Sequence, residues 1–286
     1  MFNFIRIKLL LTTMLVILSV NVVLASCITK PYSTIVVNIT CGGYDDTSSI
    51  QKVMNKVAAT GGTVHIASGT CMINTIPGIR VWSYTTLIMD RGTILKAIPN
   101  DQDTYNILYV KNVKNVNVVG GTLQGDRYQH IAAIPHLGDW GMGINVEHSS
   151  NIFIENVISN DMWGDGFYQS GDIGQSVNIK FCGVVADNNR REGLSIENVD
   201  GMIVKDSVFK NTRGAWPQCG IDIEPYWWDQ AVNNLQISNS KFINNDYGKC
   251  GIAIYNYIHR ITNVNINGII YTNPPNTEIL DDDASR

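Results

Sequence analysis

The chain has 286 residues, 44% of them hydrophobic and 16% charged, with a formal net charge of −4. That is enough apolar chain for one sizeable core, and the charge gives no electrostatic case for a nucleic-acid partner. No zinc spacing, phosphate loop or dinucleotide fingerprint occurs along it.

Residues 1–27 read as a targeting segment, with Arg6 and Lys8 as a basic n-region and Leu9 to Leu24 as an apolar h-region. Leu24-Ala25-Ser26-Cys27 fits either cleavage after Ala25 or a bacterial lipobox in which Cys27 carries a lipid anchor. The run is short for a membrane span and is interrupted by Thr12, Thr13, Ser19 and Asn21. Both readings predict an exported protein, whether secreted, periplasmic or a surface lipoprotein.

Asp45-Asp46-Thr47, followed by Ile50, Val53, Met54 and Val57, predicts a capped amphipathic helix that ends at Gly61-Gly62. Thr63-Val64-His65-Ile66 then begins the first strand. Two irregular turns are expected around Thr86-Leu87-Ile88-Met89 and Asn106 to Val110.

From Gly143 onward one phrase recurs: Gly143-Ile144-Asn145-Val146, Gly166-Phe167-Tyr168-Gln169, Gly193-Leu194-Ser195-Ile196, Gly220-Ile221-Asp222-Ile223 and Gly251-Ile252-Ala253-Ile254. Each is followed by a second apolar alternating run such as Asn151-Ile152-Phe153-Ile154. A strand-built unit this short cannot bury its apolar face alone and must stack on its own copies. The predicted fold is all-β, a single-stranded right-handed parallel β-helix over residues 28–272, with the N-terminal helix capping its open end. Residues 273–286 read as a polar C-terminal tail.

Six cysteines suit an exported chain. Cys219 and Cys250 each precede a repeat glycine, so they share a column with a spacing of about 4.8 Å, within reach of a disulfide. A buried thiol stack is the alternative. Cys41 and Cys71 flank the helix as another pair. If Cys27 is lipidated, Cys182 is the one left over.

Counting from each glycine, positions one and three are apolar and face the core, with Gln169 as a hydrogen-bonded exception. Positions two and four point outward, which makes Glu197 and Glu224 neighbours with Asp222 on the same face. Crowded carboxylates repel, so one must hold a proton, bind a cation such as Ca2+ at Asp222 and Glu224, or pair with arginine. Arg190 and Arg191 stand in the turn before Gly193. Asp165 and Glu192 share the position before the glycine. Trp140, Trp163 and Tyr168 offer rings for sugars, and the loop carrying Asp126, Arg127 and His130 folds toward the same groove. The plain alternative is a solvated face with ordinary ion pairs.

The segment DDTSSIQKVMNKVAATGGTVHIASGTCMI resembles the N-terminal cap of the pectate-lyase-like β-helix superfamily. GGTLQGDRYQH, DWGMGINV, MWGDGFYQSG, NNRREGLSIENVDG and CGIDIEP are similar to bacterial right-handed β-helix proteins related to the polygalacturonases. The resemblance implies a polysaccharide substrate. The paired aspartates and Gly-His-Gly motif of polygalacturonases are missing, and Gly164-Asp165-Gly166 carries a single aspartate. Three reactions on an acidic polysaccharide therefore stay open. Hydrolysis would use Asp165, Asp222 or Glu224 as acid and base. β-Elimination or C5 epimerisation would use an arginine or, more easily, His130 as base. A non-catalytic carbohydrate-binding protein is the alternative, and no organic cofactor is implied.

Overall fold

The computed structural model describes residues 36–131, 140–171, 174–256 and 260–272, with the backbone of the strand Thr277–Leu280. The targeting segment and Cys27 lie outside the described residues. Among those described, no helix is long and apolar enough to cross a membrane.

The chain passes through three sheets in rotation. One turn runs along Ser150–Glu155 on the first sheet, Ile158–Asn160 on the second and Phe167–Ser170 on the third. The next begins at Ser176–Cys182, back on the first sheet. Strands pair with the equivalents one turn away, in parallel, giving sheets of nine, eight and eight strands. The result is an all-β parallel β-helix with one α-helix, Thr47–Ala58. Thr85–Met89 and Thr104–Lys111, read from sequence as two irregular turns, lie on the first and third sheets of a single turn.

The repeating glycine is a matter of room. A Cβ on Gly143 would stand 2.5 Å from the carbonyl oxygen of Gly166, and one on Gly193 would stand 2.3 Å from that of Gly220. Each glycine makes space for the next, so a side chain anywhere in the column forces the turns apart. Asparagine answers a different need. Asn115, Asn151, Asn178, Asn234 and Asn263 adopt φ between 53° and 58°, a region that asparagine tolerates better than most residues. Their amides then chain across turns, Asn178 Nδ2 donating to Asn151 Oδ1 at 2.7 Å.

Ile144, Phe167, Leu194, Ile221 and Ile252 are fully buried in the core, as are Val146, Ile196 and Ile223. Each contributes on the order of 1.5–3 kcal/mol. Gln169 sits among them with its amide satisfied: Nε2 donates to the Asn198 carbonyl at 2.8 Å, and Oε1 accepts from Asn198 N at 3.2 Å. The helix buries Ile50, Met54 and Val57 against the first turns. Its predicted cap differs in detail. The Asp46 carboxylate leaves the helix alone and accepts from Gly43 N and Met72 N.

Cys41–Cys71 and Cys219–Cys250 are disulfides, each with Cα atoms 4.8 Å apart. Cys182 is disulfide-bonded too, so it is not the leftover expected had Cys27 been lipidated. Thr277–Leu280 pairs in parallel with Ile252–Tyr255, so part of the segment read as a tail extends the third sheet.

Candidate active site on the third sheet

Register aligns Asn145, Tyr168, Ser195, Asp222 and Ala253 in one outward column. This face is covered, contrary to the picture of a solvated sheet: Ser195 is 2% exposed and Asp222 1%. Tyr168, Arg191, Glu197 and Glu224 are half-buried and reach its surface. Glu224 N donates to the Ile196 carbonyl at 3.0 Å, which sets Glu197 and Glu224 on adjoining rungs.

The turns leading into the sheet supply the rest. Arg191 Nη1 donates to Asp165 Oδ2 at 3.0 Å, and Ser195 Oγ donates to the same oxygen at 2.8 Å. Asp165 Oδ1 and Asp222 Oδ1 are buried without a protein partner. Glu192, fully buried, accepts from Gln218 N at 3.1 Å and Cys219 N at 2.9 Å. Glu197 accepts from Tyr168 Oη at 2.5 Å and Gln230 Nε2 at 3.2 Å.

Five carboxyls thus surround one guanidinium, and burial decides their protonation. Desolvation pushes Asp165, Glu192 and Asp222 above the usual carboxylate range, and lifts Glu197 to about 7. Glu224 is raised by burial as well, but Arg191 and a hydrogen bond from Asp222 oppose the shift. The half-buried Arg191 is held protonated by Asp165 and its other acidic neighbours, against the pull of desolvation. Burial also raises Tyr168 far above the ordinary phenol value. Burial and the neighbouring Glu224 both favour the protonated form of Asp222, and the two carboxyls titrate as a pair.

The other expected residues gather in a separate node. Asp126 is buried, accepting from Tyr105 Oη, from Asn100 N at 3.1 Å and from Asn100 Nδ2 at 3.0 Å. Its Oδ2 also lies 2.9 Å from His130 Nδ1. His130 stacks on Trp163 with centroids 4.2 Å apart, and Arg190 Cζ lies 3.9 Å from the centroid of the same ring. Both faces of Trp163 are taken, which corrects its assignment as a sugar platform. Arg190 turns to Trp163 while Arg191 turns to Asp165. Arg127 is spent on carbonyls, donating to Asn188 O at 2.6 Å and Arg213 O at 2.5 Å. His130, with its side chain 1% exposed, has no path to a substrate proton. This node fastens the loop onto neighbouring turns.

Trp140 is 46% exposed, Trp216 67% and Trp228 79%. Sequence reasoning passed over Trp216, Ser195 and Gln230. Ser195 stood in a column already drawn, whereas the other two lie in inserted loops with no period. Among the described residues, the group drawn together as metal ligands is Cys41, Asp46 and Cys71, where both thiols are used in the disulfide. Asp222 and Glu224 are not in such a group.

The architecture is that of the pectate-lyase-like parallel β-helix proteins. The Streptococcus pneumoniae surface adhesin PfbA is 16% identical with a TM-score of 0.60, covering 80% of this chain and 59% of its own. The Azotobacter vinelandii mannuronan C-5 epimerase AlgE6 A-module is 16% identical at 0.57, covering 80% and 69%. A Paenibacillus alginate lyase is 16% identical at 0.51, covering 85% and 97%. At these identities the likeness establishes the fold alone. No protein-family model matches. The uncharacterized Bacillus subtilis protein YclG is 28% identical over 236 residues, 71% of this chain and 40% of that protein. The prophage-derived Bacillus subtilis protein YorA is 30% identical over 193 residues, 60% and 32% respectively. The matches thus span less than half the length of either relative.

Proposed function

We propose that this is an exported polysaccharide hydrolase, with Glu197 as general acid and Glu224 as general base. The observation that carries the reading is the placement of Glu197 and Glu224 on adjoining rungs, with burial lifting Glu197 to about 7 while Arg191 opposes the rise at Glu224. Two neighbouring carboxyls whose environments push them apart in acidity are what acid–base cleavage requires. Glu197 gives its proton to the glycosidic oxygen as the C–O bond breaks. Glu224 takes a proton from the water whose oxygen bonds to the anomeric carbon. Asp165 and Ser195 orient Arg191. Trp140 and Trp216 flank the sugars.

Elimination and epimerisation with an arginine, Tyr168 or His130 as base receive less support. Both need a base at the sugar carbon, and Arg191 and Tyr168 hold their protons too tightly, while His130 is engaged elsewhere. The reading needs no cation at Asp222 and Glu224, so turnover is expected to survive chelation. The right-handed sense, the domain over residues 28–272 and the helix as its cap belong to the same proposal. Disulfides support export. A binding protein without chemistry is the second reading, favoured by the exposed Trp228.

The test is release of reducing ends from a panel of acidic and neutral polysaccharides. Glu197→Gln and Glu224→Gln should each lower kcat by about 10²-fold or more while glycan binding persists. Undiminished kcat in both variants rejects the assignment, and binding without turnover by the wild type selects the second reading.

A further inference from the structure

The outward column does not stop at Asn145. Asn145 pairs with Tyr109, and Tyr109 pairs with Arg80. Arg80, Tyr109, Asn145, Tyr168, Ser195 and Asp222 therefore form an unbroken ladder, one residue per turn. Arg80 stands four rungs from Ser195, roughly 19 Å at the usual strand spacing. Gly78-Ile79-Arg80-Val81 is itself a copy of the repeating phrase.

We infer that Arg80, set between Trp82 and Tyr109, is a distal subsite for the carboxylate of a uronate residue in a chain laid along the third sheet. The inference rests on the polysaccharide reading above and adds the substrate's charge, length and direction. The Arg80 guanidinium lies 5.3 Å from the Trp82 ring centroid and 5.8 Å from that of Tyr109. Trp82 is fixed in turn, its Nε1 donating to Asn55 Oδ1 at 2.8 Å. Aromatic faces orient a cation without neutralising it. Arg80 is exposed, and among the described residues no carboxylate pairs with it. Its neighbour Lys111 is different, with Nζ 2.5 Å from Glu147 Oε1. Arg80 thus keeps a planar fork of donors for a planar anion.

Charge explains why the anchor stands so far off. The reaction centre sets five carboxyls against Arg191, so it repels a polyanion whenever they ionise. A chain of uronates gains more from a free guanidinium outside that cluster. A sugar residue advances by about one rung, so a dimer or trimer cannot touch both places, whereas a chain of five or six spans them.

The experiment is direct binding, by calorimetry, of size-fractionated oligouronates to the mature protein, Arg80→Ala and Arg80→Lys. Neutral and sulfated oligomers of equal length serve as probes. Wild-type affinity should step up as uronate chains reach five or six sugars. Arg80→Ala should weaken hexamer and octamer binding about tenfold and remove the step, with Arg80→Lys in between. Unchanged length dependence in a folded Arg80→Ala overturns the inference, as does an equal step for neutral chains or no uronate binding at all. A step for sulfated chains alone overturns the carboxylate assignment. Because binding is read without turnover, an inactive protein that shows the step rejects only the hydrolase reading. An active one without the step rejects only this subsite.

Discussion

Arg191 and Asp165, 26 residues apart in sequence, meet at 3.0 Å because they stand on successive turns before the same sheet. The contact is nearly dry, with side chains 15% and 0% exposed. Removing one member of a buried pair strands the other charge at a cost of about 3–5 kcal/mol. Arg191→Met should therefore lower the unfolding free energy by roughly that amount near pH 8, where the carboxyls around it lose their counter-charge. Asp165→Asn combined with Arg191→Met should recover part of the loss. Urea melts of the two variants check this, and an equally stable Arg191→Met would show that the pair is not holding the turns.

The raised carboxyls set a pH profile for stability. Asp165, Glu192, Glu197 and Asp222 all bind protons more tightly when folded. The native state then carries more protons than the unfolded one, so stability falls as pH rises. For Glu197 the contribution is complete below its ordinary value of 4.5 and is lost as pH climbs through about 7. The melting temperature should be higher at pH 5 than at pH 8, opposite to a fold held by salt-bridged, low-pKa acids.

Activity should share that upper limb. Glu197 must be protonated to serve as the acid, so kcat/KM should decline above about pH 7. Glu197→Gln should abolish the limb along with most of the rate. A descending limb that survives in Glu197→Gln would assign it to another group.

Two glycines separate steric need from conformational need. Gly193→Ala puts a Cβ 2.3 Å from the Gly220 carbonyl oxygen, while Gly201→Ala meets nothing nearer than 3.8 Å but sits at φ +79°. Overpacking costs about 1–3 kcal/mol or more, and a left-handed alanine about 1–2. Gly193→Ala should therefore be the more damaging, measured by chemical melts side by side.

Cys219–Cys250 closes a 31-residue separation and carries the Cys219 amide that bonds Glu192. Replacing both cysteines with alanine should cost about 3–4 kcal/mol. The same change should also reduce turnover at temperatures where the fold persists, because Glu192 loses its fixed donors. Full activity in the double variant would uncouple the disulfide from the site.

Much of this architecture was legible because the forces behind it are periodic. The glycine column, the apolar columns at Ile144 and Val146, and the buried amide of Gln169 all follow from stacking identical turns. The columns also located Asp222, Glu197 and Glu224 on one face. What escaped was decided by loops. Nothing in Arg190-Arg191 tells which guanidinium turns toward Trp163 and which toward Asp165. The partners of Glu192 and Glu197 include Gln218 and Gln230, which sit in insertions without a repeat. The stacking of His130 on Trp163 closes a tertiary contact no spacing encodes. Arg80 was the reverse case. Its glycine phrase was present, but far upstream of the others.

The most direct test is mass spectrometry of the oligosaccharide products formed in oxygen-18 water. Acid–base hydrolysis by Glu197 and Glu224 predicts one solvent oxygen at each new reducing end and saturated sugars throughout. Unsaturated products without solvent oxygen would mean elimination and would contradict the account. Solvent hydrogen gained at a sugar carbon without chain cleavage, in a parallel run in heavy water, would contradict it in favour of epimerisation.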